Sequence, residues 1–453
     1  MDIQLTGQTL GGAYISKTYD GAIFNYAVYI PNLRKQPREY ALIVNHDGLN
    51  VQEAYAAELL ADTEQAPACI SIGIHPATLP PTKEGGITRN LRMNTYDVFS
   101  DKYPSFVIDE LIPYLTQKYD LRISESPDMH MVSGGSSGGV SAWNMAWHRP
   151  NYFRRVYMSS PSFLSMARGD ELIPLIRKCE TKPIRVFADY SETEPDDYFG
   201  SSFCVAEAAI RALRFANYEV ESRYYPGEGH CSRWRNAESA IERMRFLWRG
   251  WQTESIKVNG LSPRVADVLS SDSEWEKTDA QFPNKLDIPY TADKGKIYFT
   301  NADGSRILCA DGFCNITGLE LSSDKWRLYI ADEGRGCVYS AAILEDGMLG
   351  EAYTHAALHH KTDFRSVGAL CTTIDSEDRL YISTEIGIQT ARSCSLIDVI
   401  IDNPNDTPAN KLGIGTDGYL YAECDGAVFR RKLNNKLPTG TLPSDAKHIG
   451  YYD

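Results

Sequence analysis

The glycine-rich segment around Ser136 restricts the possible folds of this 453-residue chain more than any other feature. It reads Gly134-Gly135-Ser136-Ser137-Gly138-Gly139. It follows the apolar, strand-like stretch Met129–Ser133 and precedes the helical pattern Val140–Arg149. Glycines let the backbones of a strand and the next helix approach closely where the chain reverses sharply. The segment therefore predicts a strand–turn–helix unit with a serine hydroxyl standing above a sheet.

The first 250 or so residues alternate between strand-like and helix-like patterns, which argues for a mostly parallel sheet covered on both faces. The strand-like segments are Ala22–Ile30, Tyr40–Asn45, Cys69–Ile74, Met129–Ser133, Arg155–Ser159, Ile184–Ala188 and Glu219–Tyr225. The helical patterns between them are Ala54–Ala61, Tyr103–Tyr119, Val140–Arg149, Phe203–Ala216 and Ala237–Trp251. We therefore expect an α/β-hydrolase sheet in a first domain, residues 1–253.

The remainder, residues 254–453, shows no long helical pattern, and a short motif recurs in it. The copies are Lys296-Ile297-Tyr298, Arg327-Leu328-Tyr329, Arg379-Leu380-Tyr381 and Tyr419-Leu420-Tyr421, each after a turn-forming segment. Spacing of this kind fits the small stacked sheets of a propeller, with a β-sandwich as the alternative. We expect an all-β, propeller-like C-terminal domain, in which Ser262–Pro283 is a linker or an edge strand.

Charge and composition exclude several classes of protein. The chain carries 46 Lys and Arg against 60 Asp and Glu, a net charge of −14, and no basic run. Nucleic-acid binders need a basic surface, so we expect neither a nucleic-acid nor a membrane partner. Ten cysteines match no paired zinc pattern and read as reduced thiols. The first twelve residues lack a basic start and an apolar core, which predicts a cytoplasmic location or an exported form already trimmed.

Ser136 is the candidate nucleophile, because G-x-S-x-G between a strand and a helix is the pattern of a nucleophile elbow. The register around Ser137 fits the same pattern, although Ser136 leaves two glycines where the helix packs closest to the strand. A hydroxyl needs a base to remove its proton. His230 follows the strand Glu219–Tyr225 and can reach over the sheet edge; His75 is the substitute candidate.

The acid and the oxyanion donors are less sharply defined by the residues alone. The acid should follow the strand Ile184–Ala188, where the loop Asp189–Asp197 offers five carboxylates. The backbone amide after the nucleophile, that of Ser137, is one expected oxyanion donor. The second is the amide of Leu49 or Gly48, in the loop after the strand Tyr40–Asn45.

The first half of the chain resembles the putative-esterase family typified by enterochelin esterase and by microbial feruloyl and acetyl esterases. The matching stretches are His46–Gly48, Arg89–Pro113, Val132–Phe163 and Gly227–His230. The resemblance implies Ser136 as nucleophile, His230 as base and Arg92 and Tyr96 as pocket residues. The family places its acid in a G-x-x-D turn, where this chain has Ser191 to Glu194. That points to Glu194, with Asp196 and Asp197 still open.

The second half resembles the gluconolactonase and senescence-marker-protein propellers at Ile316–Tyr339 and Val367–Ser383. Those proteins hold a divalent metal with a Glu, an Asn and an Asp. Thr317 stands here in place of the Asn and Val367 in place of the Asp, and Val cannot ligate a hard cation. We therefore expect a metal-free, non-catalytic domain. It would be a binding or scaffolding module, or it would form a wall of the esterase pocket.

These observations predict a serine carboxylic-ester hydrolase that needs no cofactor and acts through an acyl-enzyme. Its expected partner is a small-molecule or carbohydrate ester, of the feruloyl or acetyl type. A siderophore trilactone esterase is the first alternative. The others, of different classes, are a carbohydrate-binding or scaffold protein with a vestigial elbow and a metal-dependent lactonase in the C-terminal domain. Homo-oligomerisation is left open.

Overall fold

The computed structural model describes residues 3–232, 236–271, 273–362, 368–392 and 396–439. The chain divides into two compact units. The first comprises residues 1–177 and 181–260, and the second comprises residues 178–180 and 261–453. The first unit is a mixed α/β structure, whereas the second is built almost entirely of β-strands.

A large mixed sheet forms the centre of the first unit, with the strand order β12-β9-β8-β7-β3-β4-β2-β5-β6 and β1 paired to β2. Strands β1 to β12 are Gln8–Ile15, Ile23–Ile30, Ala41–His46, Cys69–Ile74, Thr78–Leu79, Arg89–Asn90, His130–Gly135, Arg155–Ser159, Arg185–Thr193, Asp196–Asp197, Gly200–Ser201 and Glu219–Gly229. The six strands from β12 to β4 are parallel, and β2 and β1 are antiparallel additions. Strands β10 and β11 form a separate hairpin.

Helices α1 to α8 are Val51–Asp62, Arg92–Tyr96, Lys102–Ser105, Ile112–Tyr119, Ser137–His148, Leu172–Lys178, Ser202–Phe215 and Ala237–Trp248. They lie where the five helical patterns predicted them, although the pattern Tyr103–Tyr119 is divided and the sequence did not predict α2 and α6. A π-helical turn, Phe106–Leu111, joins α3 to α4. The Asn50 and Asn236 side chains accept amide hydrogens at the starts of α1 and α8, which fixes where those helices begin.

Helices α1 and α8 pack against the sheet through a buried apolar cluster. Alternate strand residues such as Ile43, Met131 and Phe187 belong to it, together with Leu60 of α1 and Trp248 of α8. Helix α5 is buried along nearly its whole length and packs on β7 and β8. Since parallel strands end at one edge of the sheet, the loops after β3, β7, β8, β9 and β12 meet there.

Within its described residues, the second unit contains four small antiparallel sheets and the short helix α9 (Pro263–Ala266). Their strands β13 to β27 are Glu276–Lys277, Tyr290–Asp293, Lys296–Thr300, Arg306–Ala310, Ile316–Leu321, Arg327–Asp332, Cys337–Ala342, Tyr353–Ala357, Cys371–Ile374, Leu380–Thr384, Gly387–Arg392, Leu396–Ile401, Lys411–Ile414, Tyr419–Cys424 and Ala427–Lys432. The sheets are β14-β15-β16, β17-β18-β19-β20, β21-β22-β23-β24 and β25-β26-β27-β13.

Each copy of the recurring sequence motif lies on the second strand of one sheet, namely β15, β18, β22 or β26. Adjacent sheets contact one another through their first strands, β14 with β17, β17 with β21 and β21 with β25. The segment Ser262–Pro283 supplies α9 and the edge strand β13, which pairs with β27. The unit is therefore an array of small sheets, and closure into a propeller stays a prediction.

None of the helices within the described ranges is long and apolar enough to cross a membrane. The cysteines in those ranges form no disulfide with one another.

Candidate active site

Ser136 lies at the sharp turn between β7 and α5, with φ 57° and ψ −128°. A non-glycine residue rarely adopts a positive φ, and this strained turn is the geometry of a nucleophile elbow. Glycine is required around it, because a Cβ on Gly134 would overlap the backbone of Gly138. The Ser136 amide donates to the Ser159 carbonyl at 2.9 Å, which ties the turn to the neighbouring strand.

The two serines of the turn have different surroundings. Ser137 is the first residue of α5 and is buried near the buried Asp97. Burial raises the pKa of Asp97 to about 7, against the lowering effects of Ser137 and Arg92. Ser136 is only partly buried, and its Oγ lies 3.2 Å from Ser162 Oγ. This difference supports the register centred on Ser136.

His230 and Glu194 form a hydrogen-bonded pair at the ends of β12 and β9, through Nδ1 and Oε2. The other carboxylate oxygen, Oε1, accepts from Ser160 Oγ at 2.6 Å and from the Ser191 amide at 2.8 Å. The Glu194 side chain is fully buried, whereas 27% of the His230 side chain is exposed. The imidazole is thus held from its Nδ1 side by a buried carboxylate.

The electrostatics of this pair follow from its contacts. Burial on its own lowers the pKa of His230, but hydrogen bonds to Cys231 and Glu194 outweigh it and raise the pKa to about 9. For Glu194, burial raises the pKa, and the hydrogen bonds from His230, Ser160 and Ser191 reverse this and lower it. The geometry favours an ionised carboxylate next to a basic imidazole.

The other carboxylates of the loop lie elsewhere. Asp196 and Asp197 are exposed on the β10–β11 hairpin, and Asp197 accepts from the Phe199 amide. Glu192 accepts from the Gly227 amide. Asp189 is fully buried, and its oxygens accept from Tyr157 and Ser159. Among these five acidic residues, the hydrogen bond to His230 belongs to Glu194.

The loop after β3 passes close to the elbow with a tight backbone. Asp47 and Gly48 both have positive φ, and a Cβ on Gly73 would overlap the Leu49 amide. The Gly48 amide already donates to the Ile74 carbonyl at 3.1 Å, which leaves Leu49 as the better of the two candidate donors. The amide of Ser137 opens α5, so no helical carbonyl accepts its hydrogen.

Arg92 and Tyr96 of α2 hold this loop. Arg92 makes a bidentate ion pair with Asp47 through Nε at 2.9 Å and Nη2 at 2.7 Å. The Tyr96 hydroxyl accepts from the Asp47 amide and donates to the Ile74 carbonyl, both at 3.3 Å. Tyr96 has no exposed surface. We therefore reinterpret Tyr96 as a support of the loop rather than as a residue that lines a pocket.

The substitute base His75 is exposed and stands beside Gly48, where a Cβ would meet its ring. His46 is fully buried between the Ser133 carbonyl at 3.0 Å and Ser141 Oγ at 3.1 Å. Burial lowers the pKa of His46 to about 4. Of the histidines near this edge, His230 carries the bond to a carboxylate.

The chain matches the family described as "Putative esterase" over residues 21–294, more than half of its length. This chain belongs to the putative esterase family. The curated iron(III) enterobactin esterase of Dickeya dadantii (strain 3937) is 29% identical to this esterase-family chain over 159 residues. That alignment covers 32% of this chain and 34% of the relative, so it spans about a third of the relative's length.

Solved structures of esterases are also similar to this family member. A ferulic acid esterase is 16% identical to this chain, with a TM-score of 0.39. The alignment covers 54% of this chain and 99% of the ferulic acid esterase chain. The enterobactin esterase FES from Shigella flexneri is 18% identical, with a TM-score of 0.40. That alignment covers 54% of this chain and 60% of the FES chain.

Sequence reasoning missed two groups in this esterase-family chain. Ser160 and Ser162, after β8, contact Glu194 and Ser136, and the segment Ser-Ser-Pro-Ser was a signal for them. The Asp47–Arg92 pair is the other: both residues lie in stretches that resemble the family, but the sequence did not indicate that they contact each other. Thr317 stands where the gluconolactonase-like propellers have a metal-binding Asn, and here its hydroxyl donates to the Ala369 carbonyl at 2.7 Å. Val367 lies outside the described residues.

Proposed function

We propose that this chain is a serine carboxylic-ester hydrolase. Ser136 attacks the ester carbonyl while His230 takes its proton, and Glu194 holds the imidazole and stabilises its charged form. The amides of Ser137 and Leu49 stabilise the tetrahedral oxyanion. The alcohol leaves with the proton from His230, and water then releases the acyl group by the same route.

One observation carries this proposal. The strained Ser136 turn follows β7, and the hydrogen-bonded His230–Glu194 pair follows β12 and β9 of the same parallel sheet. The residues after β8, the strand between β7 and β9, contact both. The sequence offers five carboxylates for the acid of the triad. The choice of Glu194 is supported by its burial and by its hydrogen bonds from Ser160 and Ser191.

The direct test is the Ser136→Ala substitution, measured on short p-nitrophenyl esters. We expect kcat/KM to fall by several orders of magnitude, because the nucleophile is removed and only binding and the oxyanion donors remain. Labelling by a fluorophosphonate probe should also disappear, since only an activated serine reacts. Unchanged hydrolysis in the variant would reject Ser136, and absence of labelling in the wild type would favour a vestigial site.

For the substrate, we propose acyl esters of carbohydrate, of the feruloyl or acetyl type. The net charge of −14 disfavours a strongly anionic substrate at long range. A cyclic siderophore ester is the second candidate, and it is favoured by the similarity to the iron(III) enterobactin esterase. A panel of feruloyl, acetyl and enterobactin esters, compared by kcat/KM, separates the two.

For the second unit, we propose a propeller-like, non-catalytic module, with the domain boundary near residues 253–260. Its support is the array of small sheets that meet through their first strands. The described residues hold no group of three or more His, Cys, Asp or Glu arranged for a metal. If the second unit were a metal-dependent lactonase, a chelator would abolish lactone hydrolysis and the Ser136→Ala substitution would leave it unchanged. We expect neither result.

A further inference from the structure

The segment Ser159–Ser162, here called the serine turn, follows β8 and contacts several parts of the candidate site. Ser160 Oγ lies 2.6 Å from Glu194 Oε1, and the Cys231 amide donates to the same Oγ at 3.0 Å. An ionised carboxylate can only accept hydrogen bonds, so the Ser160 hydroxyl donates to Glu194. Its lone pair then accepts from Cys231. Both directions of the Ser160 hydrogen bonds are therefore fixed.

The backbone at Ser160 is unfavourable for a serine. Its φ is 44°, in the left-handed region that favours glycine, and only 1% of the residue is exposed. Its amide donates to the Asp189 carbonyl at 2.7 Å, which holds the backbone in place. Glycine would adopt this conformation more easily and lacks only the hydroxymethyl group. Strain of this kind gathers at functional sites, and here it retains a hydroxyl that bridges two loops.

We propose that Ser160 is a positioning residue for the acid–base pair, an inference that rests on the proposed hydrolase function. It holds the Glu194 carboxylate against His230 Nδ1 and, through the Cys231 amide, anchors the loop that carries His230. Ser160 touches no reacting atom. Its effect on the reaction passes through the orientation of the imidazole.

In the described part of the chain, three elements bring charged and titratable groups to this bridge, among them Arg243 of α8, whose charge acts to lower the pKa of Asp189. Glu194 and Asp189 come from β9 and its loop, and His230 and Cys231 follow β12. Asp189 is already engaged by Tyr157 and Ser159. Removing the Ser160 hydroxyl therefore weakens the hold on Glu194 without freeing another acid to replace it.

The test is Ser160→Gly, which removes the hydroxyl and tolerates the positive φ. We expect kcat to fall about 10- to 100-fold with KM nearly unchanged, because a misplaced catalytic group costs rate rather than binding. The rising limb of the kcat/KM profile should move to lower pH as His230 loses part of its carboxylate support. The downfield proton NMR signal of the His230 Nδ1–H···Glu194 bond should weaken or vanish.

The matched control is Ser71→Ala. Ser71 is a buried serine of β4 whose Oγ has no hydrogen-bond partner among the described residues. The control should keep the rate, the pH profile and the NMR signal. If Ser160→Gly does not fold, Ser160→Ala makes the same deletion.

Two failures are distinguishable. A wild type that neither hydrolyses esters nor reacts with fluorophosphonate rejects the proposed function, while the NMR signal still tests the bridge. A wild-type pH profile and an intact signal in the Ser160 variants, with the wild type active, would overturn the role of Ser160 alone.

Discussion

The chemistry of the candidate site depends on the protonation state of the hydrogen-bonded pair His230 and Glu194. His230 is partly exposed, and its raised pKa of about 9 means that the imidazole is largely protonated at neutral pH. A general base acts only in its neutral form. The hydrogen bonds with Cys231 and Glu194 therefore shift the working range of the proposed base toward alkaline pH, and the bond with Glu194 also orients the imidazole.

We predict that kcat/KM of the wild type rises with pH, with a midpoint well above the ordinary histidine value of 6.5 and toward 9. Glu194→Gln removes the carboxylate that favours the charged imidazole, so the midpoint should move down. The rate at the optimum should fall by about two to four orders of magnitude, because the imidazole loses its orientation and charge support.

Asp197→Asn is the control for this measurement, because Asp197 is exposed on the β10–β11 hairpin and was the rival acid. It should leave the rate and the midpoint unchanged. A large loss in Asp197→Asn, with Glu194→Gln active, would reverse the assignment of the acid.

Where β7 meets α5, backbone contact replaces side-chain packing. A Cβ at Gly134 would overlap the Gly138 backbone. These backbone atoms cannot turn away as the end of a flexible side chain could. We predict that Gly134→Ala lowers the free energy of unfolding by about 3 kcal/mol or more. Chemical denaturation measures this, with Gly11→Ala as the control, because its new Cβ would lie 3.6 Å from the nearest atom. Equal stability of the two variants would contradict the packing.

The elements that sequence reasoning found are those with a strong local signal. The seven predicted strands correspond to β2, β3, β4, β7, β8, β9 and β12. Buried residues mark most of them, whereas β12 is partly exposed along its whole length. Strand β1 was not predicted, because most of its residues are exposed and its alternation of apolar and polar residues is weak. Helix α2 has only five residues and no capping side chain, so it gave no periodic signal.

The candidate site shows the same limit. Ser136 and His230 follow from the local sequence, because glycines and a strand end mark their places. The choice of Glu194 among five carboxylates depends on which one reaches His230, and that is a contact between β9 and β12 loops 36 residues apart. Ser160 is harder still, because its positive φ and its bridge to Cys231 exist only in three dimensions.

Across the whole molecule, the excess of acidic groups should influence which esters reach the site. At low ionic strength the charge of −14 repels anions over a long range, and at about 0.15 M salt the screening length is only about 8 Å. We predict that an anionic ester, p-nitrophenyl hemisuccinate, gains about 3- to 10-fold in kcat/KM between about 10 and 150 mM NaCl. Neutral p-nitrophenyl butyrate should change little.

A preference for the anionic ester at low salt would contradict this expectation. It would mean that local basic groups dominate the cleft, and it would strengthen the siderophore alternative.

The pairing of β13 with β27 gives the second unit an unusual dependence between its two ends. Among the described strands of this unit, the first completes the sheet formed by the last three, so removal of β13 or of β27 exposes an unpaired strand edge. Stepwise truncation should then behave as an all-or-none loss instead of a gradual one. A circular permutant that joins the end of β27 to the segment before β13 and opens a hairpin turn elsewhere would keep every described strand pair intact.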